Sequence, residues 1–120
     1  MQWRRNKGHA VEYAGEKAFP YLWELMGGTF HQDVIIYGDT LEKVLAHVRG
    51  EATADFLSGT KADIDRFLRE RPDDMRVDED MQAFFSPDVQ AEGWAPDITN
   101  WRQWLTRVAQ LLEAPQAVRQ

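Results

Sequence analysis

No cysteine occurs in the 120-residue sequence. Disulfide cross-links, thiolate metal sites and thiol nucleophiles are therefore excluded, and the absence fits a reducing compartment. Long apolar runs are missing too. The longest, Val34-Ile35-Ile36-Tyr37, falls far short of the roughly 20 residues that a membrane-spanning helix needs. No apolar stretch follows Arg4, Arg5 and Lys7, so the N-terminus does not read as a secretory signal. These features predict a soluble, cytoplasmic protein with no membrane partner. Gly-rich phosphate loops, internal repeats, low-complexity tracts and alternating strand patterns are also absent. Gly27-Gly28 before Thr29 is too little to cradle a phosphate.

What the chain does have is aromatic mass: five Trp, six Phe and three Tyr. Large rings supply the burial that offsets chain entropy, which argues against disorder. A chain of this length makes one domain and buries about two-thirds of its unfolded surface. The net charge is −6, and its distribution is uneven. Residues 63–97 hold eleven acids against four bases, whereas the first 20 and the last 23 residues are each slightly basic. An acidic surface repels phosphates, so direct nucleic-acid binding is excluded. The same surface attracts a basic protein and speeds the encounter.

Helical spacing recurs along the chain. Near the C-terminus Trp101, Trp104, Leu105, Val108, Leu111 and Leu112 form one stripe, with Thr99 as N-cap and Pro115 as stop. Asp39, with Glu42 three residues on, suggests a capping box for a helix that carries Leu41, Val44, Leu45 and Val48 and closes at Gly50. Another helix is expected from a Thr60 cap through Ile64, Phe67 and Leu68 to Pro72, preceded by a short piece with Phe56 and Leu57 before Gly59. Pro20 opens a helix lined by Leu22, Trp23 and Met26. A short one over Asp78–Phe85 turns Met81, Phe84 and Phe85 inward, and 86–98 reads as a loop. Val34–Tyr37 is β-prone, but four residues cannot carry a sheet. The predicted fold is all-α: a compact single-domain bundle of about five helices over 19–114, with 1–18 an N-terminal extension and 115–120 a C-terminal tail.

Chemistry is sparse. His31-Gln32-Asp33 is the most pointed polar cluster. With His47 it would make a small metal-dependent hydrolase. No His-x-x-x-His pair sits on one helix face and no third histidine is near, so a structural role at a helix end is favoured, and no catalytic, metal or cofactor site is predicted. The acids Asp73, Asp74, Asp78, Glu79 and Asp80 lack the glycine and ligand ladder of a calcium loop. Too many to bury, they are expected to point outward as a negative patch. Phe84, Phe85 and Trp94 lie close by in sequence as apolar anchors, so the patch suits docking of a basic protein, as in an acidic adaptor module. Trp23, Trp101 and Trp104 belong to core stripes; Trp94, in a loop, is either an exposed anchor or a lid over the bundle.

The stretch Phe19-Pro20-Tyr21-Leu22-Trp23-Glu24-Leu25-Met26-Gly27-Gly28-Thr29-Phe30-His31-Gln32-Asp33 resembles immunity proteins of bacterial contact-dependent growth inhibition systems. The resemblance rests on Phe-Pro, an apolar helix, a small-residue step and Phe30-His31-Gln32-Asp33. It continues through Gly38–Leu45 to the Trp- and Leu-rich Thr99–Leu105, and spans Phe19 to Leu112. It implies a non-enzymatic binder of the toxic C-terminal domain of a delivered effector, often a nuclease. The toxin would be neutralised by covering its active site or substrate surface. The toxin-binding residues are then expected to be Asp73, Asp74, Asp78, Glu79, Asp80, Phe85 and Trp94, with the Phe-His-Gln-Asp motif structural.

Overall fold

The computed structural model describes residues 14–31 and 33–113. Of the expected extension 1–18, only 14–18 are described; residues 1–13, Gln32, Pro115 and the tail 115–120 lie outside the described residues. Among the described residues there are no strands, and five helices have seven or more residues. The all-α expectation is met.

Helix α1 (Pro20–Gly28) begins where the sequence places it. Its start has no side-chain cap from Phe19; the cap comes from another helix. Pro20 has no N–H to satisfy. The Tyr21 and Leu22 amides both donate to the Asp63 carboxylate, at 2.9 and 3.1 Å, and the Trp23 amide reaches Phe19 O. Every donor of the first turn is thereby accounted for. A helical stretch at 14–18 precedes α1.

Helix α2 (Leu41–Glu51) is capped by Thr40, whose hydroxyl accepts from the Lys43 amide at 3.2 Å, and not by Asp39. Asp39 instead pairs with Lys43 Nζ at 3.1 Å. That hydrogen bond and charge hold its carboxyl below the usual range. Gly50 does not stop the helix, which runs on to Glu51.

Helix α3 (Ala54–Arg69) is the largest departure from expectation. The two expected pieces are one 16-residue helix capped by Thr53, whose hydroxyl accepts from the Phe56 amide. Thr60 lies mid-helix, buried, with its hydroxyl donating to Phe56 O. Gly59 is not a break but a seat: the Tyr21 ring lies where a β-carbon would stand, 2.5 Å from it.

Helix α4 (Asp74–Phe85) starts four residues earlier than the expected Asp78, under an Asp73 cap. It ends at Ser86, which takes the left-handed conformation. The following segment is irregular as expected, yet it buries Ala91 and Ile98. Helix α5 (Trp101–Glu113) starts beside Asn100, which accepts from the Gln103 amide, while Gln103 accepts from Thr99 in return.

Helix α5 is the hub, touching α2, α3 and α4. Trp104, Leu105 and Val108 are wholly buried, each contributing about 1.5–3 kcal/mol relative to exposure. Trp104 packs edge-on against Phe30 (4.8 Å between centroids) and Trp101 (5.1 Å). Helix α1 lies on α3 and touches α4, so one core joins all five helices.

Candidate protein-binding surfaces

The acidic segment is built around arginines. Asp80 is only 13% exposed at its side chain and accepts from Arg71 at 2.7 Å and Arg76 at 3.1 Å. Arg71 in turn lies over the Phe67 ring at 4.2 Å and donates to Phe67 O. Half-buried Asp78 accepts from the Trp101 amide at 3.0 Å and so caps α5. The expectation that all five acids face solvent is therefore corrected for Asp78 and Asp80. A guanidinium or an amide offsets the desolvation of each. Asp73 is exposed and caps α4, and Asp74 is exposed and bridged to Arg102. Only exposed Glu79 has no polar partner among the described residues. Charges of both signs line the open cleft beside them, about 470 Å³, with Glu70, Arg71, Asp73, Arg76 and Asp80 around it.

The two proposed anchors are also partly absorbed by the fold. Phe85 is 8% exposed, packed against Phe67 and Phe19. Trp94 is half-buried; its indole N–H donates to Gln90 O at 2.8 Å and its ring stands edge-on to Phe30. It lies over the core as a lid and leaves part of one side to solvent. Phe84 is half-buried as well.

In the Phe-His-Gln-Asp motif, Phe30 is wholly buried between Trp94 and Trp104. His31 Nδ1 accepts from the Asp33 amide at 3.1 Å, closing the bend after α1. The Asp33 carboxylate caps nothing and is exposed. Gln32 lies outside the described residues. Tyr37 contacts both imidazoles, stacked on exposed His47 at 4.5 Å and edge-on to His31 at 6.0 Å. Among the described residues no group of three or more His, Asp or Glu is placed to hold a metal ion.

One surface feature is absent from the expected residues. The β-prone run Val34–Tyr37 is a single turn of 3₁₀ helix, Val34–Ile36, with Ile35 70% and Ile36 72% exposed. Tyr37 carries that turn onto His47. His47 lines a cleft of about 350 Å³ with Glu24, Thr29, Glu51, Thr53 and Phe56. The signal for it in sequence is an apolar run that no neighbouring periodicity continues.

A family model described as CdiI immunity protein matches residues 18–112. The chain belongs to the CdiI immunity protein family. The resemblance drawn from Phe19–Asp33 is thus shown across nearly all the described helices. This member is accordingly a toxin-neutralising immunity protein. No curated protein and no solved structure matches it. No described helix is long and apolar enough to cross a membrane.

Proposed function

We propose that this immunity protein works in the cytoplasm as a stoichiometric, non-enzymatic inhibitor. Residues 19–114 bind the basic, nucleic-acid-cleaving toxin domain of a contact-dependent growth inhibition effector and cover its active site or substrate surface. The observation that carries this reading is the family match, and the charge pattern supports it. A nuclease must attract phosphates and so presents a basic face. A −6 chain with exposed carboxylates at Asp73, Asp74 and Glu79 competes for the same face. Charge of this kind raises the association rate more than it tightens the final complex. Asp78, Asp80 and Phe85 would act indirectly here, by holding α4 and α5 in place beneath that surface.

The test is co-expression with the toxic C-terminal domain of the cognate effector. Protected growth, together with a 1:1 complex and loss of nucleic-acid cleavage in the mixture, is the expected result. A toxin that cleaves no nucleic acid while still being bound would overturn the nuclease part alone.

A further inference from the structure

The turn at Ile35–Ile36 is not explained by folding. Four large apolar side chains are well exposed among the described residues, and two of them are these neighbours. Polar residues at both positions would cost the core nothing, because neither side chain enters it. Scattered exposed apolar residues are ordinary. Here the pair is followed by half-buried Tyr37, which stacks on His47 of the cleft, and exposed apolar residues grouped in this way are where a partner docks.

The surface around the turn and the cleft has two features that bear on docking. Glu24 and Glu51 on the cleft, and Asp33 just before the turn, are exposed and have no basic partner among the described residues, as is also true of Asp73 and Glu79 on α4, whereas Asp74, Asp80 and Asp97 are each held by an arginine. The helix surface beside the cleft is also bare among the described residues. Gly27 and Gly28 follow Glu24 by three and four residues on α1, and Gly50 follows His47 by three on α2, so each shares a face with its cleft residue. A β-carbon at any of the three would meet nothing within 4 Å. All three stand in the last turn of their helices, where glycine costs less than the roughly 1 kcal/mol of a helix interior, and no contact among the described residues requires it. What these glycines provide is open helix surface that another molecule can approach closely.

We propose that this face docks the toxin domain, with Ile35 and Ile36 as an apolar anchor and Glu24, Asp33 and Glu51 as its charged rim. The matching toxin surface is an apolar recess bordered by lysine and arginine. The partner is chosen by charge. A second copy of this chain would set the same carboxylates against one another, and nucleic acid or an anionic membrane would be repelled. The proposal rests on the function proposed above and assigns that function its contact face; α4 contributes long-range attraction.

The test uses the full chain and the cognate toxin domain. Replacing both isoleucines (Ile35→Ser with Ile36→Ser) should weaken binding about 30-fold or more, mainly through faster dissociation, with an unchanged melting temperature. Gly27→Arg should weaken binding about tenfold or more, while the melting temperature stays equal or rises, since the new side chain meets open space. Glu24→Gln with Glu51→Gln should slow association about threefold at low salt and little at high salt. Binding within threefold of wild type by both the serine pair and Gly27→Arg would overturn the proposal. So would a wild-type dimer that the serine pair dissolves while toxin binding persists. A wild-type chain that fails to bind the toxin at all would instead defeat the functional reading.

Discussion

Replacing Asp63 by alanine isolates a contact that no local pattern supplies. Its carboxylate is on α3, and it serves as the N-terminal cap of α1 from 41 and 42 residues away in the chain. The residue is 8% exposed, and Leu22, whose amide it accepts, is wholly buried. Losing a hydrogen bond to a charged acceptor costs about 1.5–3 kcal/mol where the donor stays buried. The Tyr21 amide is nearer solvent, so water replaces most of its bond and about 0.5–1 kcal/mol goes with it. The Arg66 guanidinium at 3.8 Å is half-exposed and adds little. Asp63→Ala should therefore cost about 2–4 kcal/mol, a large share of the roughly 5–15 kcal/mol that holds a domain together. Asp63→Asn keeps one acceptor oxygen and should cost about 1 kcal/mol. Urea titration followed by tryptophan fluorescence gives both values, and a thermal melt should show the alanine variant lower by about 10 °C. An alanine variant within about 0.5 kcal/mol of wild type, with unchanged dependence on urea, would refute the argument that α1 is capped from α3.

Leu105→Ala, at a fully buried position of α5, should cost about 2–5 kcal/mol in the same titration. Gly59→Ala should destabilise by about 1–3 kcal/mol, because the Tyr21 ring fills the space, while Gly50→Ala should stabilise by about 0.5–1 kcal/mol; equal effects at the two sites would show that neither environment is as described. Asp80→Ala should cost about 1–2 kcal/mol by removing the closest partner of the Arg71 guanidinium, which keeps Glu70 and Phe67 O, and Glu79→Ala should stay within about 0.5 kcal/mol.

The apolar stripes were legible in sequence because they depend only on helical spacing. Leu41, Val44, Leu45 and Val48 on α2, and Trp101, Trp104, Leu105, Val108 and Leu112 on α5, are buried as their periodicity requires, while Leu111 of the same stripe is half-buried. Helix ends were less legible, because several candidate caps compete and packing chooses between them. Gly59 reads locally as a break, but the Tyr21 ring from α1 makes it a contact point inside a continuous α3. Thr53 then takes the cap that Thr60 was expected to provide. The acidic segment misled for a related reason. Sequence counts Asp78 and Asp80 as charges but cannot show that α5 brings an amide to one and that the chain before α4 brings Arg71 to the other. Ile35 and Ile36 were visible as apolar residues, but that no described residue covers them is a property of the fold alone.

The most direct measurement is a titration of the cognate toxin domain with the purified full chain, reading both heat of binding and residual cleavage of nucleic acid. The account predicts saturation at one immunity protein per toxin, with cleavage falling in step with occupancy and association slowing as salt rises. Cleavage that persists at full occupancy, or no heat of binding with a folded and active toxin, would contradict it.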